Sequence, residues 1–167
     1  MNARIVICAL AALVPLAGWS QDSARKLNAS QAVSAIDALA NWYECEDCHP
    51  SELKAVTAYG ATVVPSLIAT LNGGLSPATR ELLRRRLEER YVALSAENAS
   101  GIKIGASRDD FVARHLGDFD ARYRIRATQA LCAIGGKEAR AALENAFSKT
   151  NRSDGRSAIT DCLKTIK

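Results

Sequence analysis

The stretch YRIRATQALCAIGGKEARAALENAF, residues 123–147, contains two amphipathic segments on either side of Gly135-Gly136. In the first segment, the apolar positions fall on one face of a helix: Tyr123, Ala127, Ala130, Leu131 and Ile134. In the second segment, a similar stripe is made by Ala139, Ala142, Leu143, Ala146 and Phe147. Because the two glycines end the first helix and leave only a short turn, the two helices are predicted to fold back as an antiparallel pair.

The same pattern recurs on both sides of this pair. A shift of 32 residues places the first stripe on a third segment; the aligned pairs are Ala127 with Ile159, Ala130 with Cys162, Leu131 with Leu163, and Ile134 with Ile166. A shift of 76 residues relates the second helix to an earlier segment; the aligned pairs are Gly60 with Gly136, Val63 with Ala139, Leu67 with Leu143, and Leu71 with Phe147. Internal repeats of this kind are typical of helical solenoids.

Residues 123–147 resemble a HEAT repeat of the short bacterial type found in phycobilisome-lyase-like proteins. In that pattern an arginine precedes an alanine-rich first helix ending in Ile-Gly, and a second helix of A-x-x-x-L type follows; the matching positions are Arg126, Ala127, Ala130, Leu131, Ile134 and Gly135. Gly136 replaces the usual aspartate. The resemblance covers 120–149, extends to 51–72, and is partial over 153–167. It implies an all-α, right-handed helical solenoid of about seven helices, but no lyase activity, because no bilin-binding residues match.

Two helices are predicted before the clearest repeat, outside the pair at 51–72. One runs over residues 28–43. A long helix begins with Ser76 as a possible N-cap and Pro77 at the first helical position. Its buried stripe is predicted to be Leu83, Leu87, Tyr91 and Leu94.

A further short helix is predicted between this long helix and the repeat. Ser107 and Asp110 have the spacing of a capping box, after an exposed loop over 100–106. The helix is predicted to run through His115 to Leu116. Because Gly117 follows, His115 is predicted to be a cation at the C-terminus of this helix.

The first twenty residues have the pattern of a secretory signal peptide. Arg4 precedes an apolar run over 5–17, and small residues precede a predicted cut after Ser20. The run is too short for an ordinary membrane span, although an uncleaved anchor is the alternative. Residues 21–167 are then a single periplasmic or secreted domain with no stable membrane span.

The charge of the chain does not favour nucleic acid as a partner. The chain has 22 basic and 18 acidic residues, and loss of Arg4 with the signal leaves 21 against 18, a net charge of +3. That excess is small, and no nucleic-acid-binding module is present in the sequence.

Four cysteines follow the predicted signal, at positions 45, 48, 132 and 162. Cys132 and Cys162 occupy the first helices of successive repeats, 30 residues apart, so we expect them to lie side by side and form a disulfide. Two buried free thiols are the alternative. The expected pair leaves Cys45 and Cys48 to bond to each other at the corner between two helices.

The string Cys45-Glu-Asp-Cys48-His49 also allows other chemistry. With His49 as an axial ligand it has the form of a c-type haem attachment site, which makes a monohaem electron-transfer protein the main alternative. A redox-active dithiol is a further alternative, but neighbouring acidic residues would raise the thiol pKa. A zinc site is disfavoured, because His115 is the only other histidine.

No catalytic motif for a nucleophile or a metal is found in the sequence. The sequence favours a non-enzymatic, cofactor-free interaction or scaffold module that binds another protein. The candidate partner surface is basic and comprises Arg84, Arg85, Arg86, Arg122, Arg124 and Arg126. A solvated helix face, with Glu81 and Arg85 paired, is the alternative role for the arginine triplet.

Overall fold

A computed structural model describes residues 29–97 and 105–166. The predicted signal segment and most of the predicted 100–106 loop lie outside these ranges. The described residues form seven α-helices, one short 3-10 turn at Gly60–Thr62 and no strand. The helices are α1 (Ala29–Glu44), α2 (Pro50–Thr57), α3 (Val64–Gly73), α4 (Pro77–Glu97), α5 (Arg108–Ile134), α6 (Lys137–Lys149) and α7 (Ser153–Thr165). The predicted all-α fold class is confirmed.

Helix α5 is the centre of the structure, because it contacts each of the six other described helices. Its alanines allow this close packing: Ala127 and Ala130 have no exposed surface. Around them lie the largest fully buried side chains of the core, which are Leu67, Leu131, Leu143, Ile159 and Val56. Burial of such side chains contributes roughly 1.5–3 kcal/mol each. The predicted apolar stripes of the repeat therefore form the core.

The first half of α5 packs against α4 in a second, smaller apolar cluster. Its buried members are Leu87, Phe111 and Val112, and the partly buried side chains around them include Tyr91, Leu94, Leu116 and Phe119. The hydroxyl of Tyr91 donates to the Ala106 carbonyl at 3.1 Å and ties α4 to the start of α5. Three of the four stripe residues predicted for α4 pack in this cluster, and Leu83 packs against the main core.

Both predicted serine caps are present. The Ser76 hydroxyl accepts the backbone N–H of Thr79 at 3.1 Å at the start of α4. The Ser107 hydroxyl accepts the N–H of Asp110 at 3.1 Å and donates to the Asp110 carboxylate at 2.7 Å. These bonds satisfy N–H groups that have no partner within the helix.

The predicted helix end near Leu116 is wrong, because α5 continues through Gly117 to Ile134. A glycine inside a helix costs only about 1 kcal/mol, and packing on both sides of this position outweighs that cost. His115 is therefore inside the helix and not a C-terminal cation. Its Nδ1 lies 2.8 Å from the Phe111 carbonyl oxygen, and its ring packs on the Phe111 ring with centroids 4.1 Å apart.

The turn from α3 to α4 is held by the carboxylate of Asp120 on α5. Asp120 accepts the N–H of Leu75 at 3.0 Å and pairs with Arg80 and Arg124, each at 2.8 Å. Burial would raise the pKa of Asp120, but Arg124, the Leu75 N–H and Arg80 together hold it below its ordinary value. Gly74 makes this approach possible: its φ is +69°, and a Cβ there would collide with the carboxylate.

We expect Gly74→Ala to lower the free energy of unfolding by about 2 kcal/mol or more, because the side chain would be strained at this φ and would displace Asp120. Urea unfolding followed by circular dichroism measures the change. Gly73→Ala is the matched control, since a Cβ at Gly73 meets nothing within 4 Å; it should change stability by no more than about 0.5 kcal/mol. Equal effects of the two substitutions would contradict this role for Gly74.

Candidate functional site

The guanidinium of Arg126 joins α5 to the end of α1. Arg126 is only 8% exposed. One terminal nitrogen donates to the carbonyls of Trp42 at 2.8 Å and Tyr43 at 2.6 Å, and the other donates to the Cys45 carbonyl. In return, the indole Nε1 of Trp42 donates to the Arg126 carbonyl at 3.0 Å. The side chain thus satisfies carbonyls that the end of α1 leaves without intrahelical partners.

This buried charge is balanced by dipoles and not by a carboxylate. The partial negative charge at the C-terminus of α1 favours a cation, and the guanidinium lies over the Trp42 ring, 5.7 Å from its centroid. Burial lowers the pKa of Arg126, and the like charge of Arg122 lowers it further. Arg126 is therefore a structural residue at the boundary of a polar surface.

The four cysteines lie in the two predicted pairs, each at disulfide distance. The Cα atoms of Cys45 and Cys48 are 5.3 Å apart and those of Cys132 and Cys162 are 5.5 Å apart, both within the normal range for disulfides. The first pair closes the corner between α1 and α2, next to the Arg126 contacts. The second joins α5 to α7 at corresponding positions of the two predicted repeats.

The geometry at Cys45 and Cys48 does not fit a haem. The two sulfurs face each other, whereas a c-type haem needs each of them for a separate thioether bond. His49 is exposed as the N-cap residue of α2, and Cys45 and Cys48 pack against the main core. Among the described residues, no group of three or more histidine, cysteine or carboxylate side chains is arranged to hold a metal ion.

The predicted basic surface divides into groups with different roles. Arg84 pairs with Glu81 at 2.8 Å and also with Glu88, and Arg85 lies 3.9 Å from Glu81, so these two arginines belong to a salt-bridged helix face. Arg124 donates to Asp120 and to two carbonyls at the end of α3, those of Leu71 at 2.8 Å and Asn72 at 2.6 Å.

The predicted partner surface therefore has to be redrawn without Arg124 and Arg126, whose donors are used inside the fold. Arg86 is exposed and Arg122 is partly exposed. Both lie near Tyr123: burial and then Glu44 raise the pKa of this tyrosine, while Arg126, Arg122 and Arg86 lower it. Two of the six predicted arginines, Arg86 and Arg122, are thus brought together across α4 and α5.

A groove of about 420 Å³ runs along α5 between the α1–α2 corner and the start of α7. Apolar side chains of Trp42, Ala121 and Ile125 line it. On the side of the corner it is lined by Glu46 and Cys48. Its polar groups from α5 include Arg122 and Gln129.

An ion-pair cluster lies at the α7 end of the groove. Arg152 is 3.6 Å from the Asp118 carboxylate on α5 and 3.0 Å from the Asp154 carboxylate on α7. A second cleft of about 450 Å³, lined in part by Leu71, Ala146 and Ile159, shares Arg152 and Asp154 with the groove. The two cavities therefore adjoin at Arg152.

Several groove residues were not identified from the sequence: Trp42, Glu46, Asp118, Gln129 and Arg152. They come from separate helices and connections, and no local motif relates them. A signal did exist for Arg126, because it lies three residues after Tyr123 and four before Ala130, within the buried stripe of the helix. A charged residue in such a stripe is predicted to be buried with polar partners.

Comparison with protein-family models, curated proteins and solved structures found no match for the chain. Among the described helices, none is both long and apolar enough to cross a bilayer.

We expect Arg126→Met to lower the free energy of unfolding by about 2–4 kcal/mol, because three carbonyls lose a charged donor while the apolar stem is kept. Thermal and urea unfolding measure the effect. Arg114→Met, at an exposed position of the same helix, is the control and should stay within about 0.5 kcal/mol of the parent. If both variants were equally stable, the Arg126 contacts would not be important for the fold.

The cysteine geometry predicts the covalent state of the protein. The chain should be made in a host that exports proteins and matures c-type haem, and its intact mass measured without reductant. We expect a mass lower by the four hydrogens that two disulfides remove, and no Soret absorbance. A haem-sized mass increase with a Soret band would show that Cys45 and Cys48 carry haem.

Proposed function

We propose that this chain is an exported, HEAT-like interaction module that binds another protein along the α5 groove. The groove is the single observation that carries the proposal: a surface channel with an apolar lining, charged edges and an unpaired amide, that of Gln129. Such mixed surfaces are typical of protein interfaces that form and dissociate. The HEAT resemblance, the signal-like first twenty residues and the two cysteine pairs support the export and scaffold parts of the proposal.

The groove is suited to binding and not to catalysis. Its lining contains no histidine, serine or lysine among the described residues, and its one cysteine, Cys48, is paired. Its Asp118 and Asp154 carboxylates lie in ion pairs with Arg152. A hydrolytic or transfer reaction would need a nucleophile and a base within hydrogen-bond reach of each other.

The walls of the groove are held at fixed positions, which favours a scaffold role. The Arg126 contacts and the Cys45–Cys48 pair fix the α1–α2 corner, and the Cys132–Cys162 pair fixes α7 against α5. A surface that needs little ordering on association loses less conformational entropy when a partner binds.

Site-specific crosslinking in cells tests the proposal. A photoreactive amino acid at Gln129 should give a discrete crosslinked product of higher mass in the exported fraction, because this side chain is exposed at the groove. The control carries the same amino acid at Ala141, an exposed position on α6 that does not line the groove. Products of equal yield at both positions, or none at Gln129, would show that the groove is not a protein-binding surface.

A further inference from the structure

The charges in the groove indicate what kind of protein segment it binds. We propose that Arg122 binds an acidic side chain of an extended segment of the partner protein, while the apolar residues beside it contact the rest of that segment. This inference rests on the proposed function and specifies the chemistry of the partner.

Arg122 differs from its neighbouring arginines in having no carboxylate partner. Its guanidinium packs over the Phe119 ring, 5.0 Å from the centroid, and no carboxylate within residues 29–97 and 105–166 forms an ion pair with it. Arg124 and Arg152, in contrast, are each paired with carboxylates. Arg122 lines the groove and is partly exposed, so its donors can reach an incoming carboxylate.

A second positive charge lies behind Arg122. Arg126 also lines the groove, and it is close enough to Arg122 for the like charges to act on each other. Because only backbone dipoles and an aromatic ring compensate the charge of Arg126, a carboxylate bound at Arg122 would relieve this repulsion. Charge-assisted hydrogen bonds of this kind are stronger than neutral ones.

The rest of the groove suits an extended polypeptide. Ile125 lies three residues after Arg122 on α5, and Ile125 with Trp42 provides apolar contact area. Gln129, one turn further along α5, offers both an amide donor and an amide acceptor. A segment without secondary structure has free backbone N–H and C=O groups that can pair with such a side chain.

The same groove disfavours a polyanion such as a nucleic acid or an anionic membrane. Its lining has three carboxylates, those of Glu46, Asp118 and Asp154, which equal its three arginines in number. A uniformly negative surface would meet repulsion from these carboxylates, whereas a single acidic side chain can be placed at Arg122 alone. Charge separation along a groove gives register and specificity to a peptide.

Glu46 provides an internal competitor. It is exposed on the loop between Cys45 and Cys48 and lines the same groove as Arg122. Its negative charge opposes the arrival of another carboxylate. Removing the charge of Glu46 should therefore strengthen binding of an acidic segment, and removing that of Arg122 should weaken it.

The test is a nuclear magnetic resonance titration of the isotope-labelled full chain with capped peptides of alanine, valine and threonine that carry one central glutamate. Twin peptides carry glutamine instead. We expect the glutamate peptides to shift the Trp42 indole and Gln129 amide signals and to bind about five- to tenfold more tightly than their twins at low salt.

Arg122→Gln should remove the preference for glutamate, and Arg122→Lys should keep part of it, which separates the loss of charge from a loss of fold. Glu46→Gln should tighten binding of the glutamate peptides at least about twofold, as expected for removal of one exposed like charge. Arg114→Gln is the matched control: it changes the net charge equally, lies on the same helix outside the groove, and should leave binding unchanged.

Equal binding of the twin peptides, or an equal loss in Arg114→Gln, would overturn the proposal. So would vesicles of phosphatidylglycerol that shift these signals when peptides do not, because the groove would then bind lipid. If the crosslink from Gln129 forms in cells but does not depend on Arg122, the interaction module stands and the acidic partner is wrong. If that crosslink does not form, the proposed function itself fails.

Discussion

The buried contact between Arg126 and the end of α1 is the constraint on which the surface of this protein depends. A charged group is expensive to bury unless its donors are used, and Arg126 uses them on the carbonyls of Trp42, Tyr43 and Cys45. These bonds fix where α1 ends and where the Cys45–Cys48 loop begins. The position of Glu46 at the groove follows from that arrangement.

Arg124 serves α3 as Arg126 serves α1. The two side chains are two residues apart on α5, so they leave the helix on well-separated faces, and each donates to carbonyls at the end of a different helix. One helix thus provides the C-terminal caps of two others. Arg122, one turn before Arg126, has no such role in the fold, and its charge remains available at the surface.

Local features of the sequence were sufficient to predict the helices and the cysteine pairs. Periodic alanines and leucines, the Gly135-Gly136 stop and the Ser76 and Ser107 caps are all short-range signals. The groove was not predictable in this way, because the bond between Arg126 and the Trp42 carbonyl joins residues 84 positions apart, and every residue has a carbonyl. The break expected at Gly117 failed because a local propensity of about 1 kcal/mol is small beside tertiary packing.

The central position of α5 has a consequence for how the protein unfolds. In linear repeat proteins each unit contacts only its neighbours, so the ends can fray while the middle stays folded. Here α1 and α7, the first and last described helices, both pack on α5. Opening at either end removes contacts from the same helix, so loss of structure should spread through the whole domain in a single cooperative step. A protein with such cooperativity exposes few partly folded forms to proteases.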